Sequence, residues 1–153
     1  MAYGRQGRPG TSRALTIIRI AKVVELILSE LGLTVAQYRM LTFANDDPAP
    51  LGELSVRLAM KPPNVTTLID GLVARGLVTR ERGRDDRRRV ELALTPKGRR
   101  LLVTAEKRCA DGLAYLAGKR SGNPRQLLQC IDDWVEPLDV AARELRARER
   151  RST

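Results

Sequence analysis

Between Leu51 and Thr95 the hydrophobic period switches from that of helices to that of strands, and the switch limits what this chain can fold into. Leu51, Leu54 and Leu58 recur at helical spacing, which gives one apolar face. Lys61-Pro62-Pro63 then interrupts the pattern, because proline lacks a backbone N–H and biases the residue before it away from helix. Pro63 fits the first turn of a new helix, where the missing donor costs nothing. Val65, Leu68, Leu72 and Val73 supply that helix's buried stripe, and Gly76 suits its C-terminal stop. A second helix set across a first after a short turn is a helix-turn-helix, whose second helix can enter a DNA major groove.

After Gly76 the residues read as strands. Leu77 to Arg82 and Arg89 to Leu94 are strand-like, with Val90, Leu92 and Leu94 alternating with Glu91 and Ala93 as in a half-buried hairpin. Gly83-Arg84-Asp85-Asp86-Arg87-Arg88 supplies turn chemistry between them. From Arg75 to Arg100 there are ten Arg/Lys against four Asp/Glu, so these 26 residues carry +6 of the chain's net +10. Charge runs are commonly solvated faces. A basic hairpin directly after a helix-turn-helix points instead to a polyanion, and here to DNA.

The length of 153 residues fits one domain, or one compact domain with helical extensions. No apolar run reaches the roughly 18 residues that a bilayer span needs, so no membrane partner is expected. The N-terminal Gly/Arg-rich stretch lacks a signal peptide's apolar core. Two cysteines without a framework suit a reducing, cytoplasmic setting. With no histidine and no CxxC pair, neither a structural zinc site nor any other cofactor is expected. One Phe, three Tyr and one Trp argue against a stacking platform for single strands.

Residues 1–11 read as a disordered basic arm, a flexible tail whose arginines could also reach a minor groove. Ser12 to Leu31 reads as a helix with Leu15, Ile18, Val23, Leu26 and Ile27 among many apolar positions, too wide a surface for one small lobe to cover. Gly32 ends it. Thr34 and Gln37 have capping-box spacing for the next helix, which Asp46-Asp47-Pro48-Ala49-Pro50 closes. Thr95-Pro96 starts a long helix with Leu102, Ala105, Cys109, Leu113 and Leu116 along its seam. Asn123-Pro124 opens the last helix, whose seam is Leu127, Ile131, Trp134, Leu138, Ala141 and Leu145. Pro137 should kink or break it near Asp133–Glu136.

The order of these elements resembles the MarR family of winged-helix transcriptional regulators, over roughly residues 12–145. The residues that carry the resemblance are Leu33-Thr34-Val35-Ala36-Gln37-Tyr38, Val65-Thr66-Thr67-Leu68-Ile69-Asp70, and Leu72-Val73-Ala74-Arg75-Gly76-Leu77-Val78. The most telling is Asp85-Asp86-Arg87-Arg88-Arg89-Val90 leading to Leu94-Thr95-Pro96-Lys97-Gly98. The resemblance implies a mainly α fold with a small β-hairpin wing (α+β), in which residues 33–95 form a winged helix-turn-helix lobe. Residues 12–31 and 96–150 would then form a helical dimerisation region, with Leu15, Ile18, Leu127, Ile131, Trp134 and Leu138 at the interface of a homodimer.

The expected partner is double-stranded DNA carrying a pseudo-palindromic operator. An Asp-x-Arg at the family's wing tip matches Asp86 and Arg88, so the resemblance sends Arg88 into the minor groove with Asp86 orienting it. A narrow A·T-rich groove has enhanced negative potential that attracts arginine. Arg84, Arg87 and Arg89 would lie nearer phosphates, and Lys61, Asn64, Thr66 and Thr67 belong to the helix-turn-helix surface. One departure stands out. Thr67 and Gly71 occupy positions where relatives often carry basic residues, which removes bidentate guanine reading there.

The leading functional reading is a dimeric, sequence-specific transcriptional regulator, a ligand-responsive repressor. Alternatives are a redox-responsive repressor acting through Cys109 and Cys130, whose plainer reading is two small buried hydrophobes, or an architectural protein that binds DNA without sequence choice. The resemblance also implies a small aromatic or anionic effector. Tyr38 and Arg39 are candidate pocket groups, for which packing and surface roles are the simpler reading. An enzyme is not expected, since no histidine base, phosphate loop or metal-ligand cluster is present in the sequence.

Overall fold

The computed structural model describes residues 13–46, 51–82, 90–119 and 123–134, with residues 136–138, 140, 141 and 144 beyond them. The order is α1 (Arg13–Glu30), α2 (Val35–Asp46), α3 (Leu51–Leu58), α4 (Pro62–Ala74), β1 (Val78–Arg82), β2 (Val90–Leu94), α5 (Pro96–Gly118) and α6 (Pro124–Asp132). The fold is mainly helical with one two-stranded antiparallel hairpin, in which Val78 pairs with Leu94 and Arg80 with Leu92. The expected fold class holds. No described helix is long and apolar enough to cross a membrane.

The helix ends follow local chemistry. Gly32 and Gly76 both take φ +66 and close α1 and α4. At the second, the Gly76 N–H donates to Val73 O at 2.8 Å and the Leu77 N–H to Leu72 O at 3.0 Å. That pair of bonds satisfies carbonyls a helix end would otherwise orphan. The same pattern closes α3 with a non-glycine: Ala59 sits at φ 54, with its N–H on Val56 O and that of Met60 on Ser55 O. At the start of α2 the Thr34 N–H donates to Gln37 Oε1 at 3.0 Å, and the Gln37 N–H to Thr34 Oγ1 at 3.1 Å, which is the expected capping box. Thr95 caps α5 by accepting from the Gly98 N–H, and Asn123 caps α6 by accepting from the Arg125 N–H. α6 stops at Asp132 with Asp133 as its C-cap, in the region where the ring of Pro137 would meet a helical carbonyl.

One continuous core joins these elements. Leu28 from α1, Met40 and Leu41 from α2, Leu54 and Leu58 from α3, and Val65, Ile69 and Leu72 from α4 are all buried. Val78 and Leu92 from the hairpin and Leu102, Ala105 and Cys109 from α5 complete it. Removing one such leucine side chain would cost about 2–5 kcal/mol through lost transfer energy and the cavity left behind. The second half of α1 and the first half of α5 are therefore part of the same packed unit as the helix-turn-helix. Farther out, at the start of α1 and in and beyond α6, apolar side chains stay open to solvent: Leu15, Ile18, Ile131, Trp134 and Leu138 are all exposed.

Candidate nucleic-acid interface

The prolines at the first two positions of α4 set its direction. Lys61 is its N-cap at φ −66, ψ 143 and makes no side-chain cap bond, so its exposed side chain projects from the turn between α3 and α4. Successive residues of a helix are turned by about 100°. With Val65, Ile69 and Leu72 buried against the core, the outward face carries Pro63, Asn64, Thr67, Asp70 and Ala74, all exposed, with Thr66 exposed at its edge. Gly71 is part of this face, and nothing lies within 4 Å of where its Cβ would be.

The hydroxyl of Thr66 donates to Pro62 O at 3.2 Å and that of Thr67 to Pro63 O at 3.1 Å. Asp70 is the helix's one charged side chain, and it is held by the guanidinium of Arg80 on β1. Alternation along the strand explains the pairing. Val78 and Arg80 share a face of the hairpin; Val78 is buried, and Arg80 lies where the core runs out against α4. Sequence reading gave Asp70 no partner and Arg80 no role; the signal for the pair is a charged residue two places after a buried strand valine.

Behind this surface a set of polar contacts ties α4 to the long helices. The Arg75 guanidinium donates to Gly32 O at 2.9 Å, linking the end of α4 to the end of α1. The Lys97 ammonium donates to Arg75 O at 2.8 Å, and the Thr95 hydroxyl to Gly76 O at 2.8 Å. The Thr95 N–H reaches Leu77 O at 3.1 Å. Gly98 is buried here because a Cβ on it would sit 1.9 Å from that same oxygen. Thr95-Pro96-Lys97-Gly98 thus both starts α5 and fixes where β1 leaves α4.

Of the residues expected to meet DNA, the structure brings Lys61, Asn64, Thr66 and Thr67 together on one exposed surface. Arg84, Asp86, Arg87, Arg88 and Arg89 lie outside the described residues, as does the N-terminal arm. Leu127 falls within α6, but its side chain is likewise outside them. Arg39 donates to Arg57 O at 2.9 Å and Leu58 O at 3.3 Å, satisfying the last carbonyls of α3, and its guanidinium lies over the Phe43 ring. Tyr38 is partly buried against the core. The cysteines differ from each other. Cys109 is buried, and burial pushes its thiol pKa up, whereas Cys130 is exposed, which corrects the reading of both as buried hydrophobes.

A sequence model of the MarR family matches residues 31–89, the span from the end of α1 into the wing. The HTH-type transcriptional regulator YhbI of Bacillus subtilis is 34% identical over 120 residues, covering 78% of this chain and 77% of that protein. Among solved structures, wild-type MarR from E. coli in its apo form superposes with a TM-score of 0.65 at 21% identity, over 82% of this chain and 97% of that one. CouR from Rhodococcus jostii RHA1, solved bound to p-coumaroyl-CoA, gives a TM-score of 0.64 at 25% identity, over 82% and 87%. With the helix-turn-helix, the hairpin and the Thr95 cap that follows it in place, this chain belongs to the MarR family of winged-helix, DNA-binding transcriptional regulators.

Proposed function

We propose that the protein acts as a homodimeric repressor that binds a pseudo-palindromic operator and releases it when a small aromatic or anionic effector binds. The observation that carries the dimer is the apolar surface at the ends of the chain. Ile17 and Ile18 on α1 are 63% and 62% exposed, and Trp134 and Leu138 beyond α6 are 56% and 57% exposed. Large apolar side chains left this open, several to a segment, suit protein–protein contact. In this reading residues 12–31 and 96–150 form the dimerisation region and residues 33–95 the DNA-binding lobe. Two copies related by a twofold axis place two α4 helices about 34 Å apart, one helical turn of DNA.

Each α4 lies in a major groove with Lys61, Asn64, Thr66 and Thr67 toward the DNA. Each wing reaches the flanking minor groove with Arg88, oriented by Asp86, while Arg84, Arg87 and Arg89 neutralise phosphates. The effector reading is supported by the acyl-CoA bound to CouR. The protein's work is DNA binding rather than catalysis, in keeping with a family of transcriptional regulators, and its place is the cytoplasm, beside the DNA.

Light scattering after gel filtration, paired with a gel shift on a palindromic duplex, tests this reading. The parent chain should run as a dimer. Ile18→Glu or Trp134→Glu should give a monomer that loses tight binding to the palindrome. A parent that is monomeric at micromolar concentration and still binds the palindrome tightly would overturn the dimer.

A further inference from the structure

We infer that α4 selects A·T base pairs in the major groove through methyl and amide contacts, and that it does so without a cationic side chain. The inference rests on the operator-binding reading above and adds the chemistry of the bases read. From Pro62 to Ala74 the helix carries no Lys or Arg, in a chain with 28 of them. Its one charge, Asp70, is occupied by Arg80. Guanine is best read by the paired donors of Arg or Lys at its O6 and N7; α4 has no such group within it, and Lys61, its N-cap, stands before the first turn rather than on the face that carries Asn64 and Thr67.

The threonines cannot replace it. A hydroxyl has a single proton to donate, and in both Thr66 and Thr67 that proton is given to a carbonyl four residues back. Outward, each threonine offers a methyl group and an oxygen lone pair. A methyl group matches the C5-methyl of thymine, and the lone pair matches the amino group of adenine. One turn before Thr67, Asn64 is exposed and is the one side-chain amide of the helix. Its donor and acceptor fit the N7 and N6 of adenine in bidentate fashion.

Gly71 fits the same picture. A mid-helix glycine costs up to about 1 kcal/mol relative to alanine, and here no neighbour requires it, since a Cβ would meet open space. Its backbone is not left-handed either. The bare backbone one turn after Thr67 lets the helix sit closer to the base edges, where a methyl contact is short-ranged.

The experiment uses the full chain. Duplexes enriched from a random pool by the parent protein give a palindrome; that duplex and its deoxyuridine version, lacking thymine C5-methyls in the α4-contacted core, are titrated by fluorescence anisotropy. We expect A·T pairs in that core and a loss of about fourfold in affinity for each contacted methyl removed. Thr67→Ser, which keeps the hydroxyl but loses the methyl, should show the same loss on the thymine duplex and no further loss on the deoxyuridine one. Thr67→Val, which keeps the methyl, should retain the preference for the thymine duplex over the deoxyuridine one that Thr67→Ser loses. A G·C core, or equal binding of the thymine and deoxyuridine duplexes, overturns the inference while leaving operator binding intact. Enrichment of no consensus at all overturns the operator reading and this inference together.

Discussion

A Cβ on Gly98 would stand 1.9 Å from the carbonyl oxygen of Leu77, closer than any side-chain carbon can approach backbone. The first turn of α5 is therefore seated directly on the residue that leads from α4 into β1. Gly98→Ala should force α5 and β1 apart, at a cost of about 1–3 kcal/mol as for other overpacked sites. Urea denaturation checks this, with a lowered midpoint expected. An unchanged midpoint would mean that the two segments can move apart freely.

Ala59 holds φ 54 at the C-terminal end of α3, a region that disfavours a Cβ. Ala59→Gly removes that strain but frees the unfolded chain, so the net gain should be small, about 0.5–1 kcal/mol. Ala59→Val should destabilise, because branching at Cβ makes the left-handed conformation worse. Thermal unfolding of the two variants against the parent should give melting shifts of opposite sign.

The Asp70–Arg80 pair is open to solvent, with side chains 56% and 39% exposed, so its share of stability is under about 1 kcal/mol. Its weight falls on binding. Asp70→Asn removes the one negative charge of α4 and releases Arg80 toward phosphate. Affinity for bulk DNA should rise, and the salt slope should steepen by about one. Binding to bulk DNA that weakens after this substitution would show that the pair holds the wing in place.

Cys109 and Cys130 should separate chemically. An aqueous thiol reagent should label exposed Cys130 rapidly and buried Cys109 only as the protein opens. Burial raises the Cys109 pKa above its ordinary 9.0, so the folded state holds the proton longer than the unfolded one. The stability linked to this thiol is thus fully present below pH 9.0 and is lost as pH rises through the higher folded value. Cys109→Ala should show a shallower alkaline decline in urea midpoint than the parent. Identical alkaline declines would show that the thiol is not the group responsible.

Much of this was legible in the sequence because local chemistry decided it. The Thr34–Gln37 box, Gly76, the tandem prolines that open α4, and Thr95-Pro96 each fix a helix end within a few residues, and the structure follows them. What could not be read is what depends on the relation between distant segments. Arg75 meets Gly32 and Asp70 meets Arg80 only after the core has oriented their elements. Cys130 was readable only as a small buried hydrophobe like Cys109, because residue type and spacing do not tell a face turned to this chain's core from one left open. Nor could sequence tell that the hydroxyl protons of Thr66 and Thr67 turn back to their own helix.

Operator recognition by α4 together with an arginine-bearing wing is most directly tested by fluorescence anisotropy on the selected palindrome and on its scrambled counterpart, across several salt concentrations, for the parent and for Asp86→Ala. The parent should prefer the palindrome by at least about 10³-fold at physiological salt. Asp86→Ala should bind the palindrome more weakly although its net charge is more positive, because Arg88 loses the group that orients it. A parent that binds both duplexes alike, or an Asp86→Ala chain that binds the palindrome more tightly, would contradict the account and leave the wing as a basic patch.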